Sequence, residues 1–379
     1  MVILPIGSGK GGVGKSLLAA NLSIALSEAG RTVVLADLDL GASNAHTMLG
    51  VRSVSCGIGT FLTAPRTRFE EIVLATEYEG LSFIPGDAEI PGTANLKAAQ
   101  KKRLLRHLQA LEADFLVLDL GPGTASHTLD FFLLSAGGII VTTPALTAIL
   151  NAYLFLKNAV FRIMHSTVAK ESRAYAILEE LRRDAGTMQR TYVPRILERI
   201  GETDPKSRGA LDAVMGRFRP RLVLNLLEDP GDADRTDKLR RSAREYLGIE
   251  LAHLGIIYRD ELQDAALASR IPIVRWKPAA VISRAVYRIA EKLVAMEPEE
   301  ALVDPGAADE GFQAAEAEAE TDFQAKRRDI EDLLQSGALT TGDLVETVRT
   351  QAFELSTLRR ENALLRERLL KAAQEGFRP

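Results

Sequence analysis

The segment Gly9-Lys10-Gly11-Gly12-Val13-Gly14-Lys15-Ser16 constrains this chain more than any other. It follows the short apolar run Val2–Ile6 and precedes an apolar stretch, Leu17–Glu28, that stops at Gly30 as a helix would. A strand that runs into glycines and then into a helix makes a cradle for phosphate. Glycines let successive backbone N–H groups turn toward one anion, and the helix N-terminus adds the positive end of its dipole. In this pattern Lys15 is placed to meet the β- and γ-phosphates, and the Ser16 hydroxyl is placed to reach Mg²⁺. Gly9 through Leu17 are the candidate nucleotide-binding residues, with Ser16 also a candidate metal ligand.

The pattern continues as alternating strands and helices up to residue 296. Short apolar runs predict strands at Val2–Ile6, Thr32–Ala36, Leu81–Ile84, Phe115–Leu120, Ile139–Thr143, Leu222–Leu226 and Leu254–Ile257. Each is brief and mainly apolar, as strands buried on both faces are. The spacing of Ile282, Val286, Ile289 and Leu293 predicts an amphipathic helix over Val281–Met296. Alternation of this kind implies an α/β fold, a doubly wound and mostly parallel sheet.

Two stretches depart from that rhythm. Residues 151–220 read as a helical insertion in which Lys and Arg outnumber Asp and Glu, from Arg182 and Arg190 through Arg199, Lys206 and Arg208 to Arg217. Such a surface either follows a nucleic-acid backbone or is a solvated helical face. Residues 297–322 place ten acidic residues among Ala, Gly and Pro, the composition of a flexible linker. Residues 323–379 then read as a helical tail. A heptad over 343–372 puts Leu344, Val348, Leu355, Leu358, Leu365 and Leu369 at a and d positions, with Asn362 at an a position. A buried Asn there specifies the register of a coiled coil, and the tail is the candidate surface for a protein partner.

Bulk properties narrow the classes. The net charge of −4 gives no overall field toward nucleic acid or an anionic membrane. Cys56 is the one cysteine, so the chain offers no disulfide framework and no cysteine cluster for zinc or iron–sulfur, which fits a reducing cytoplasm. No signal peptide fits before Gly7, and no unbroken run of 18 apolar residues occurs. His46, His107, His127, His165 and His253 show no metal-ligand spacing.

Hydrolysis at a phosphate cradle also needs a metal-shell carboxylate and an oriented water. Asp119 ends the apolar run Phe115–Leu118, where such a carboxylate belongs, and Gly121-Pro122-Gly123 follows it closely enough for Gly123 to approach a γ-phosphate. Asp39, in Asp37-Leu38-Asp39-Leu40-Gly41, is the candidate for orienting the attacking water and a second candidate metal ligand.

Taken together these residues resemble the MinD/ParA ATPases. Lys10-Gly11-Gly12-Val13-Gly14-Lys15-Ser16 is similar to that family's deviant Walker A motif, whose mark is the additional lysine, here Lys10. Asp37 through Asn44 resembles its switch I, Phe115 through Gly123 its Walker B and switch II, and Asn225 its adenine-reading asparagine. Gly255 through Asp260 and Ile271-Pro272 resemble its last strand and base-covering loop, and Asn44 through Gly50 leans toward the MinD and FlhG/FleN branch.

The resemblance implies ATP and Mg²⁺ as cofactors, and two subunits sandwiching two ATP molecules. Lys10 and Lys15 would act as catalytic cations and Asp39 as the catalytic carboxylate. Slow turnover would make the protein a switch that positions or assembles cellular machinery. A ParA-type partitioning ATPase that binds DNA through the basic stretch is the alternative. A cluster-carrying relative would need cysteines beyond Cys56, and a nucleotide-bound scaffold without turnover is a further reading. Ala145 and Asn151 stand where relatives carry acidic residues, which bears on dimer-dependent activation. The acidic linker and tail stand where relatives carry a membrane-binding helix, so association with a membrane or the nucleoid stays open beside a cytoplasmic location.

Overall fold

The computed structural model describes residues 1–296, apart from 41–42, 52–53, 55, 65, 87–97 and 184–191. Gly41 and Ala42 of the switch-like segment, Arg190 of the basic stretch, the acidic linker 297–322, the tail 323–379 and the heptad 343–372 all lie outside the described residues.

Eight strands form one sheet: β1 (Val2–Gly7), β2 (Val33–Leu38), β3 (Leu74–Ala75), β4 (Leu81–Ile84), β5 (Phe115–Leu120), β6 (Ile139–Thr142), β7 (Arg221–Leu227) and β8 (Ala252–Tyr258). Their order is β3-β4-β2-β5-β1-β6-β7-β8. Every pairing is parallel except β3 with β4. All seven expected strands are present, with ends shifted by up to two residues. The eighth, β3, has only Leu74 and Ala75 on the ladder, too short to leave a period in sequence. Every residue of β2 and β5 is buried, as central strands between two helical layers are, and each strand carries one buried aspartate near its carboxyl end, Asp37 and Asp119.

The helices are α1 (Lys15–Glu28), α2 (Ala45–Met48), α3 (Ile58–Thr63), α4 (Ala98–Gln109), α5 (Ser126–Phe132), α6 (Leu146–Thr167), α7 (Arg173–Arg183), α8 (Val193–Thr203), α9 (Pro205–Met215), α10 (Asp234–Ser242), α11 (Leu262–Ala268), α12 (Ile273–Trp276) and α13 (Val281–Ala295). Helix α1 is buried on nearly every side, packed between the sheet and α13. Its polar residues are paired inside that layer: Asn21 donates to the Leu17 carbonyl and accepts from the Val274 amide, and Ser23 donates to the Ala19 carbonyl. At its end Gly30 takes φ of 78°, and the Gly30 and Arg31 amides donate to the carbonyls of Ser27 and Leu26. This double closure satisfies carbonyls that the helix leaves over.

The described part of the expected insertion at 151–220 is mostly helical, but it is not separate from the core. Helix α6 already begins at Leu146, and its Phe155, Leu156, Ala159 and Val160 pack in one apolar cluster with Leu116, Leu118 and Ile140 of the sheet. Helices α6 to α9 form an extended crossover from β6 to β7. By length and hydropathy α6 could cross a membrane, yet 56% of its most apolar window is buried inside the fold.

Asp130 of α5 ties three helices together. It accepts from Lys101 of α4, and from Arg162 of α6 at 2.7 and 3.1 Å. Burial alone would raise its pKa, but these two cations hold the carboxyl below its ordinary range. A group depressed in the folded state stabilises above its unfolded pKa and loses that contribution as pH falls through the folded one. Asp130→Asn is expected to lower stability by about 1–2 kcal/mol at neutral pH, and the difference from wild type should close as pH falls below the carboxylate range. Urea unfolding at a series of pH values measures it.

Candidate functional site

The site lies at the carboxyl ends of β1, β2, β5 and β7, next to the point where connections from the central strands diverge to opposite sides of the sheet. Crevices form at that place in open α/β sheets. Between β1 and α1 the chain turns tightly over Ser8–Gly14. Ser8 Oγ donates to the Lys10 carbonyl at 2.6 Å. Gly14 caps α1 with φ of 89°, and a Cβ there would come within 2.2 Å of Asn225 Nδ2. Gly9 lies against α6, where a Cβ would sit 1.9 Å from the Asn151 carbonyl oxygen. Both positions therefore require glycine, one for its backbone angle and its neighbour, the other for close approach of two backbones.

The structure brings Lys15, Asp39 and Asp119 into one charged cluster with Asp37. Lys15 opens α1 and is only 6% exposed. Burial lowers its pKa, while the nearby Asp119 and Asp39 carboxylates oppose that shift. Asp119 sits near the end of β5, directly across the ladder from Asp37 of β2. Its pKa is pushed up to about 8, first by burial and next by the charge of Asp37, with the Ser16 hydroxyl and Lys15 pulling the other way. Neither Asp119 oxygen has a hydrogen bond of good geometry. Two buried carboxylate oxygens without a donor fit a cation or its bound water. Ser16, Asp39 and Asp119 are the residues that fit Mg²⁺ here. Among the described residues no cluster of three or more His, Cys, Asp or Glu could hold a metal ion.

Asp37 is the residue that sequence reading passed over. It is fully buried and accepts from the Asp39 amide at 3.0 Å, Ser43 Oγ at 2.6 Å and the Ala45 amide at 3.1 Å. It thus anchors the segment that carries Asp39 and starts α2. Its burial raises its pKa, against the pull of those three donors. The signal was present as the first acid of Asp37-Leu38-Asp39, but only burial separates the anchor from the half-exposed Asp39.

The other expected residues fall as follows. Asn225, near the carboxyl end of β7, is buried and donates from Nδ2 to the Val13 carbonyl at 2.8 Å, so β7 braces the phosphate loop. Gly123, with φ of 87°, donates its amide to the Ser8 carbonyl at 3.0 Å and links the loop after β5 to the phosphate loop. Asn44 is exposed just ahead of α2. Gly11 and Gly12 are exposed on the outer face of the loop, Val13 is buried beneath it, and Leu17 is half-buried on α1. Lys10 points away from the cluster, its Nζ 3.4 Å from Thr147 Oγ1 on α6.

Comparison with known proteins agrees with this geometry. Residues 1–164 match the family model described as ParA, NUBPL iron-transfer P-loop NTPase. The flagellum site-determining protein YlxH of Helicobacter pylori is 35% identical over 161 residues, 41% of this chain and 52% of that protein. An iron-sulfur cluster carrier protein of Synechocystis is 33% identical over 160 residues, 41% of this chain and 44% of its own. The antiactivator FleN of Pseudomonas aeruginosa is 28% identical over 165 residues, 41% of this chain and 55% of its own. The chain thus spans about half the length of the curated relatives it matches. Among solved structures, the septum site-determining protein MinD of Pyrococcus horikoshii, complexed with Mg-ADP, superposes with a TM-score of 0.52 at 21% identity, covering 78% of this chain and 96% of its own. A ParA family ATPase of Chlorobium tepidum gives 0.52 at 20% identity over 77% of this chain and 98% of its own. A glycine-built phosphate loop on β1, a buried lysine opening α1 and an orphaned carboxylate near the end of β5 therefore stand on the fold of these solved structures, and residues 1–164, which carry all three, match the ParA family of P-loop NTPases.

Proposed function

We propose that this chain binds Mg-ATP at the Gly9–Leu17 loop, hydrolyses it slowly, and uses the nucleotide to switch between monomer and dimer in positioning or assembling cellular machinery in the cytoplasm. The observation that carries the reading is the closeness of two buried groups, Lys15 and Asp119, neither of whose carboxylate oxygens has a hydrogen bond of good geometry. A triphosphate with its cation supplies what each group needs. A bound Mg²⁺ would supply positive charge against the phosphates. Ser16 and Asp119 would hold it, with Asp39 beside them. Lys15 meets the β- and γ-phosphates, and loop amides cradle them. Asp39 orients water, held in place because its amide donates to Asp37 and its carboxylate packs over Gly121. Asn225 retains a carbonyl oxygen and one N–H for adenine after bracing Val13.

Lys10 serves the partner subunit in this reading. In the monomer it lies exposed against Thr147 rather than among the carboxylates, which suits a cation that acts across an interface. The additional lysine then matches the deviant Walker A pattern and adds positive charge where phosphate charge gathers. The curated relatives named for flagellar placement and the MinD fold favour a positioning role.

A DNA-partitioning role draws less support. Arg199 is paired with Glu180 at 2.8 Å and Arg208 with Asp212 at 2.8 Å, so part of the basic charge is spent on acidic neighbours. A cluster-carrying role lacks ligands, since Cys56 stands alone in the chain and lies 3.6 Å from the Glu71 carbonyl. Sedimentation velocity tests the switch: a non-hydrolysable ATP analogue with Mg²⁺ is expected to shift the protein toward dimer relative to ADP. Equal distributions in the two nucleotides overturn it.

A further inference from the structure

At the end of the sheet away from the phosphate loop, two arginines sit without a counter-ion among the described residues. Arg219 and Arg221 lead into β7, and both are half-buried. Their amides donate to the carbonyls of Ala136 and Gly138 at 2.8 and 2.9 Å, two steps of one extended pairing with the segment that enters β6. Residues two apart on an extended chain point to the same face. The two guanidinium groups therefore share one side of the sheet, on Cα atoms about 7 Å apart.

The surroundings hold these cations without neutralising them. Arg221 Nη1 donates to the Gly137 carbonyl at 2.8 Å, and a Cβ on Gly137 would come within 2.5 Å of the same nitrogen. Glycine leaves the room that the cation occupies. Burial lowers the pKa of Arg221, and no neighbouring carboxylate offsets that shift. Arg219 Nε is sealed from solvent with no acceptor. Glu250, just ahead of the neighbouring strand β8, is taken up through both oxygens by Arg244, at 2.8 and 3.0 Å. Buried arginines are ordinarily paired, because an unpaired one gives up hydration with nothing in return. Two on one face, with most of their N–H donors unused, suit an anion from outside the chain.

The donors also select the class of anion. A carboxylate has two oxygens and saturates one guanidinium fork. A tetrahedral phosphate has oxygens enough to meet two forks from two directions. Half-buried arms at the start of a strand reach a compact ion, whereas a polymer backbone is met by a line of exposed ones.

We propose that Arg219 and Arg221 form a second anion site, at the amino ends of β6 and β7, for inorganic phosphate or the phosphate group of a small molecule. The site is separate from the nucleotide crevice. Arg221 opens the strand that carries Asn225 about 13 Å further along, where Asn225 braces Val13 of the phosphate loop. The proposal therefore stands whether or not the loop binds ATP.

Arginine footprinting on the full-length chain tests it, with inorganic phosphate as the probe. Phenylglyoxal modifies accessible guanidinium groups, and peptide mass spectrometry reads each position. At constant ionic strength, phosphate is expected to slow modification of Arg219 and Arg221 at least several-fold relative to chloride. Arg217, exposed two residues away, should be unaffected. Isothermal titration then reads phosphate affinity in a Lys15→Ala chain, where the phosphate loop is disabled. Adding Arg219→Gln is expected to weaken binding there at least tenfold, and Arg219→Lys, which keeps the charge without the fork, to restore it only in part. The Arg219 side chain has no hydrogen bond to the described residues, so its replacement should leave the fold intact, and thermal unfolding in chloride checks this. Equal modification rates in phosphate and chloride overturn the proposal, as does an affinity that Arg219→Gln leaves unchanged. Phosphate binding that Lys15→Ala alone abolishes assigns the ion to the loop and also overturns it. So does protection by a short DNA duplex that extends to Arg217 while phosphate gives none, which assigns this face to a nucleic-acid backbone. A wild type that binds no ATP but keeps the phosphate footprint defeats the nucleotide reading and leaves this site standing.

Discussion

Lys15→Ala is expected to abolish nucleotide binding while leaving the fold intact, with affinity for Mg-ATP falling by about 100-fold or more. The size follows from what one ammonium does in a site closed to water. A charge-assisted hydrogen bond is worth about 1.5–3 kcal/mol, and Lys15 is placed to make more than one to phosphate oxygens. Stability should respond far less. Lys15 is a buried cation whose pKa is lowered chiefly by burial, so its charge is costly to keep in the empty site. Its removal takes away that cost together with its attraction to Asp119 and Asp39, and Asp119, already pushed up to about 8, is predisposed to hold a proton instead. Isothermal titration with Mg-ATP and thermal unfolding of the same sample separate the two effects. Retained ATP affinity in a folded variant defeats the whole reading of the site. A collapse in thermal midpoint with lost binding assigns Lys15 to structure instead.

Asp39→Ala is expected to leave ATP binding within a few-fold of wild type and to reduce turnover by about 10²–10⁴-fold, the range a positioned proton-transfer group contributes. The structure separates the two functions. The Asp39 backbone amide, which the substitution keeps, holds the segment to Asp37 at 3.0 Å. The carboxylate, which it removes, packs over Gly121 on the side where Asp119 and Lys15 meet. With hydrolysis slowed, ATP stays bound, and the dimer should persist for hours in size-exclusion chromatography where wild type reverts to monomer. Phosphate release and elution volume are the two readouts. A turnover rate that does not fall points to a nucleotide-bound scaffold, and a monomer at saturating ATP counts against the switch.

Much of this arrangement was legible in the chain because it is local. The phosphate loop is eight contiguous residues, and its glycines, lysine and serine carry their roles in their order. Strands such as Leu81–Ile84 and Phe115–Leu120 were found to the residue because burial on both faces demands a mainly apolar run. Asp119 was legible for the same reason, as a carboxylate at the end of such a run. What escaped were features that depend on partners far along the chain. The edge strand β3 is too short for a period. Asp37 and Asp39 look equivalent in sequence, and only packing leaves one sealed under three donors and the other half-exposed.

Sequence alone determined that this chain would build a parallel sheet with a phosphate cradle at its head, since hydrophobic periodicity and glycine geometry act over a few residues and need no partner. Tertiary structure decided the rest. It brought Asn225 to Val13 across 212 positions of sequence, tied Gly123 to Ser8, set Lys10 against Thr147 instead of the carboxylates, and left three leucines of α6 bare. The physical reason is that a side chain's charge state, bonding and exposure are set by what the fold packs around it, and that surrounding is assembled from segments distant in the chain.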